Sequence, residues 1–141
     1  MTFDTKTYHG RRDENLECHV DIVTSDGRRR PLPLRLDLDN HSPTGFNWGY
    51  GGSGPAQLAL ALLADAFGDD DLAVFWHQEF KRKWVSALPD EWASDEASIR
   101  KILLGIRAQC REKWLSKWEE NRAHEMAEDE RRDGKRGHWG D

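Results

Sequence analysis

The run PAQLALALLADAF, Pro55 to Phe67, constrains the fold of this 141-residue chain more than any other segment. Pro55 suits a first helical position, where its missing N–H would have had no intrahelical partner, and Gly68 suits the stop. Between them only Gln57 and Asp65 interrupt the apolar surface. A helix that is apolar on nearly all sides has to be covered on all sides. The rest of the chain must supply the layers around it.

The first layer is a sheet. Residues 5–38 read as three strands, because short apolar alternations are separated by turn signals and show no helical period. The first covers Thr5 to Arg11. In the second, Glu17 to Val23, the side chains of Cys18, Val20 and Ile22 share one face. Ser25, Asp26 and Gly27 then supply a tight turn. The run PLPLRLDL sets Leu32, Leu34, Leu36 and Leu38 on one face, and the missing N–H groups of Pro31 and Pro33 make it an edge strand.

Helices complete the cover. Asp69, Asp70 and Asp71 favour a helix start, and Leu72, Trp76, Phe80, Trp84 and Leu88 give a helix over 71–88 an apolar stripe that Pro89 ends. Ser94, followed by Asp95 and Glu96, caps a third helix over 95–130 with a stripe of Ile99, Leu103, Ile106, Cys110, Trp114 and Trp118. Beyond Trp118 the apolar pattern fades into interspersed charge. The expectation is an α+β fold: one compact domain over 1–118, with a three-stranded antiparallel sheet packed on the 55–67 helix, and a charged helical extension ending in a flexible tail over 119–141.

Charge and cysteine usage bound the function. A net charge of −5 repels phosphate backbones at long range, so general nucleic-acid binding is disfavoured. Cys18 and Cys110 match no metal spacing or redox motif and read as two buried thiols in a reducing compartment. The N-terminus lacks an apolar leader and no segment reaches a membrane-spanning length, which predicts a cytoplasmic protein without membrane contact.

The loop HSPTGFNWGYGGSG, His41 to Gly54, is the densest cluster of special residues, with five glycines between positions 45 and 54. Glycine permits close approach, and the helix start beyond it offers N–H groups at Ala56 and Gln57 that suit an anion. Named motifs fail here. No Lys follows the glycines as a phosphate-binding P-loop requires, their register is not that of a dinucleotide fold, and Pro55 stands where a hydrolase elbow needs glycine. The candidate small-ligand site is therefore a cradle. Gly51, Gly52 and Gly54 permit approach, Trp48 and Tyr50 stack, and His41, Asn47, Ser53 and Gln57 hydrogen-bond. Arg35 or the Arg11–Arg12 pair would neutralise phosphate. The competing reading is a core cap, with the loop's rings folded inward.

Other candidates are weaker. His41 beside Asp37 and Asp39 suits a general base without an evident nucleophile. His9 and His19 read as strand surface residues and His77 as a helix surface residue, and no metal site or cofactor is expected. Arg28–Arg30 and Lys81–Lys83 read as solvated cationic faces. Trp114, Trp118 and Trp139 lie near or beyond the end of the third stripe and are the candidates for a partner contact, since large rings are enriched where interfaces bury area.

The segment NHSPTGFNWGYGGSGPAQLALALLAD, preceded by YHGRR and a strand pair, resembles an uncharacterised domain-of-unknown-function family, family 6166, over roughly residues 6–88. The resemblance carries no activity to transfer. It implies a setting among small accessory proteins of phages and other mobile elements. The function expected from loop and setting together is non-enzymatic binding, in counter-defence or regulation, of a host protein complex or a nucleotide-type ligand. Two rivals stand beside it: a small hydrolase or nucleotide-processing enzyme using His41 with Asp37 or Asp39, and an interaction module working through the C-terminal helix. Homodimer formation is left open.

Overall fold

A computed structural model describes residues 5–135, with side-chain surroundings given through residue 123. Its elements are β1 (Lys6–Arg12), β2 (Cys18–Thr24), β3 (Arg29–Pro31), α1 (Ser53–Phe67), α2 (Asp70–Lys83), a 3-10 turn (Val85–Ala87), β4 (Trp92–Asp95) and α3 (Glu96–Lys135). Two compact units divide the chain between Ile106 and Arg107. No helix among the described residues is long and apolar enough to cross a membrane.

The α+β class holds, but the antiparallel sheet has four strands, in the order β3-β2-β1-β4. The expected strand over PLPLRLDL shrinks to Arg29–Pro31. Leu32 N–H still reaches Val20 O, after which the chain leaves the sheet. Arg35 adopts φ +57, and Leu38 N–H closes a turn on Arg35 O. Leu36 is left 37% exposed, so the four leucines do not share a buried face. The other edge of the sheet is β4, which residue periodicity did not announce. Ser94 belongs to that strand, and the cap of α3 is Asp95, whose carboxylate accepts from Ser98 N–H at 2.7 Å.

The first unit is organised as the apolar helix demands. From Gly54 to Ala66 every α1 residue except Asp65 is buried. Gly68 ends the helix in a left-handed conformation, φ 62. Tyr8, Val20 and Ile22 give the sheet its buried face, and Ile99, Leu103 and Ile106 add the first part of α3. Asp65 clasps helix to sheet: it accepts from Tyr8 Oη at 2.5 Å and lies 3.5 Å from Lys6 Nζ and 4.0 Å from Arg30 Nη2. Burial, then donation to this carboxylate, pushes the Tyr8 hydroxyl well above its ordinary pKa.

On α2 the buried positions are Ala73, His77 and Phe80: Phe80 is buried as the stripe expects, but Ala73 and His77 take the interior places expected of Leu72 and Trp76, which are half-buried, so His77 is interior rather than a surface residue. Phe75 is correspondingly 75% exposed. The helix also stops at Lys83 rather than Leu88, and the chain continues through the 3-10 turn. Its aromatic end joins a chain of ring contacts, Phe80 to Trp84 to Trp92 to Trp48, with centroids 5.2–5.8 Å apart. Gly10, opposite Trp92 in the sheet, makes this possible. A Cβ there would lie 2.1 Å from the indole Nε1.

Candidate functional site

Arg12, the last residue of β1, builds the site around the glycine loop. Its guanidinium donates to Asn47 Oδ1 at 3.0 Å and Trp48 O at 2.7 Å, pairs with Asp90, and lies 4.9 Å from the centroid of the Trp48 ring. A planar five-donor group can hold several acceptors and a ring face at once. The loop therefore leans on the end of β1, and α1 starts close behind it. A Cβ on Gly54 would stand 2.6 Å from the Asn47 Cβ and 3.1 Å from its backbone nitrogen, so only glycine fits.

Outside this clamp lies a cleft of about 710 Å³ lined by Arg11, Arg12, Asp13, Leu16, Asn47, Tyr50, Asp90 and Glu91. Two apolar groups stand open on it, Tyr50 at 49% and Leu16 at 78% exposure. Leu16 has φ +62, which costs a non-glycine residue about 1–2 kcal/mol. Asp13 holds it there. Its Oδ1 accepts from the N–H groups of Asn15 and Glu17, and its backbone bonds Leu16 and Glu17. Donation from His19 and these amides keeps the Asp13 carboxyl below the usual aspartate range.

The candidate ligand residues separate into groups. Trp48 is fully buried, with its ring in the core chain. Gln57 is equally buried and spends its amide on the loop backbone: Oε1 accepts from His41 N–H (2.8 Å) and Ser42 N–H (3.1 Å), while Nε2 donates to Leu34 O (2.6 Å) and Asp39 O (3.1 Å). Gly54 is covered by Asn47 and Gly52 by the Tyr50 ring, while Gly51 faces open space and Ser53 is exposed. Arg35 holds Asp37 and, at 2.8 Å, Asp70, which together raise its pKa. It does not line the cleft.

A second constellation forms where the loop meets α2. His41 Nε2 lies 2.9 Å from His77 Nε2 and 3.1 Å from Asp39 Oδ2. His77 Nδ1 donates to Val74 O at 2.7 Å, and burial, the dominant influence, lowers the pKa of this ring. Asp37 is not part of the group, being held by Arg35.

A family model described as a family of unknown function, DUF6166, matches residues 8–105. The chain belongs to that family. No curated protein and no solved structure matches it significantly. All eight cleft residues and the Asp39–His41–His77 group lie inside the DUF6166 match.

Trp114 and Trp118 lie beyond the match, in the second unit. They are 63% and 45% exposed and stack on each other at 6.5 Å, with Arg122 over the Trp118 ring. Trp139 lies outside the described residues. Neither cysteine is in a disulfide, and both are half-buried rather than buried. Cys18 Sγ lies 3.4 Å from Asn47 Oδ1.

Sequence reasoning missed Asp13, Leu16, Asp90 and Glu91 as residues of the cleft and His77 as the neighbour of His41. For His77 a signal existed, since it falls four residues after Ala73 and three before Phe80 on one helical face. For Leu16 there was none, because its conformation comes from the Asp13 turn.

Proposed function

We propose that this DUF6166 protein is a non-enzymatic binding protein whose recognition site is the cleft beside the glycine loop, and that it takes a segment of a partner protein. The observation that carries the reading is the pairing of exposed Leu16 and Tyr50 on one cleft whose walls are pinned by Arg12 and Asp13. Rigid exposed apolar anchors within a polar rim are what protein contacts use. Arg12 is committed to Asp90, Asn47 and Trp48, and Glu91 stands on the same lining, so a phosphate would meet an uncommitted carboxylate and a partnered guanidinium, and a protein segment with polar and apolar groups complements the cleft better. That balance favours a protein over the nucleotide-type ligand. A counter-defence or regulatory role of a mobile element in the cytoplasm belongs to the same proposal and rests on the family resemblance alone.

Paired variants test it. Leu16→Asp and Tyr50→Ala alter exposed side chains, so both retain the fold, and each is expected to abolish capture of a partner that the wild-type chain retains stoichiometrically. Retention by both variants refutes the cleft, and stabilisation by a nucleotide in thermal-shift measurements refutes the choice of a protein ligand. A second reading, interaction through the C-terminal helix, is favoured by the exposed Trp114–Trp118 stack. It predicts that Trp114→Ala with Trp118→Ala, rather than the cleft variants, releases the partner.

A further inference from the structure

We propose that Asp39, His41 and His77 form a binding site for a divalent transition-metal ion of the zinc class. The site is separate from the cleft and does not depend on the binding reading above.

Hydrogen counting motivates it. His77 Nδ1 carries a hydrogen because it donates to Val74 O, so in the neutral ring Nε2 is a lone pair. His41 Nε2 faces that lone pair at 2.9 Å and the Asp39 carboxylate at 3.1 Å. An imidazole nitrogen holds at most one hydrogen, pointing one way, so it cannot donate well to both acceptors. The Gln78 amide nitrogen, 3.3 Å from His77 Nε2, adds one long contact on the histidine side and nothing toward Asp39. A cation in the middle satisfies all three ligand atoms together.

The three ligand atoms lie within 4.8 Å of one another. Zinc bonds of about 2.0–2.1 Å in a tetrahedron set ligands about 3.3 Å apart, so the 2.9 Å and 3.1 Å contacts of His41 Nε2 have to open by only about 0.2–0.4 Å, and the accessible Asp39 carboxylate adjusts its distance to His77. The supports stand outside the ligands. Val74 O orients the His77 ring, and buried Gln57 holds the backbone of both loop ligands through Asp39 O and His41 N–H. Two imidazoles and one carboxylate suit zinc, cobalt or nickel better than calcium or magnesium. Asp39 keeps 45% of its side chain accessible, which gives an ion a way in and leaves a coordination position for water.

The other histidine and carboxylate group, Asp13, Glu17 and His19, contrasts with this one. There His19 Nε2 meets Asp13 Oδ2 at 2.9 Å as a single donor on a single acceptor, and the other Asp13 oxygen is filled by two amides. That balance needs no cation, which makes His19 the control.

The test is a titration of the full-length, tag-free chain with Co2+, followed optically, and displacement by Zn2+. One equivalent is expected to bind, with a visible spectrum of nitrogen and oxygen ligation and no thiolate charge-transfer band. Asp39→Asn and His41→Gln, both on the accessible loop, are expected to weaken binding by at least the roughly 10- to 100-fold that loss of even an outer partner costs. His19→Ala should leave it unchanged. Zn2+ should also shift the Nε2 resonances of His41 and His77 and not those of His19. Absence of saturable binding to the folded wild-type chain, unchanged affinity in His41→Gln, or loss of binding in His19→Ala overturns the proposal.

Discussion

Replacing Gln57 with leucine removes a side-chain amide that serves four backbone groups, the carbonyls of Leu34 and Asp39 and the N–H groups of His41 and Ser42. Leucine is about one methylene larger, and position 57 is fully buried, so no cavity forms and the cost is one of lost hydrogen bonding with some overpacking. Each lost bond is worth about 1 kcal/mol net, and more where the abandoned partner stays dry. These backbone groups belong to half-buried residues, so water recovers part of the loss. The expected destabilisation is about 2–4 kcal/mol by urea titration, with a melting temperature lower by about 2–4 °C for each kcal/mol. Hydrogen exchange localises the effect, since the amides of His41 and Ser42 should lose protection while those of β1 and β2 keep theirs. A loss below about 1 kcal/mol with unchanged protection at His41 and Ser42 would show that the loop is held by something else.

Three further outcomes follow from the packing. Gly10→Ala forces the Trp92 indole off the sheet and should cost about 1–3 kcal/mol, with a change in tryptophan emission; unchanged stability and emission contradict the contact. Tyr8→Phe takes the neutral donor from Asp65 and should cost about 1.5–3 kcal/mol, read by denaturant titration, with Lys6 and Arg30 limiting the loss. Asp95, held below the ordinary aspartate range by Ser98, should contribute stability that is complete above about pH 3.9 and is lost as pH falls through the lowered folded value. Asp95→Asn keeps an acceptor for the cap and should flatten that acid limb in pH-dependent melting.

Local signals made α1 legible almost to the residue. Its start at Pro55 falls two positions inside the observed helix, and Gly68 ends it as expected, because caps and glycine conformations act over a few residues. The alternation of β2 held for the same reason: Val20 and Ile22 are buried together. The PLPLRLDL run had equally regular alternation, yet a strand also needs a neighbour that accepts its ladder. Pro31 and Pro33 withhold donors, and Gln57 draws the Leu34 carbonyl elsewhere. β4 failed in the opposite direction. Four residues, Trp92–Asp95, become a strand because β1 offers a free edge, and that edge lies more than seventy residues earlier in the chain.

The sites divide along the same line. The glycine loop was evident from composition, but which of its rings faces solvent was not. Trp48 is drawn inward by Trp92 and by Arg12 above it, while Tyr50 is left on the cleft with Leu16. By itself the sequence determined that a nearly all-apolar helix must be wrapped by sheet and helices, where that helix ends, and which segment concentrates glycines and rings. Only the tertiary structure brought His77 against His41 and Asp39, and the end of β1, with Arg12, against the loop. The physical reason is range: capping and periodicity act between neighbours in the chain, whereas buried hydrogen bonds, ring contacts and shared ligand geometry are settled between residues that only folding brings together.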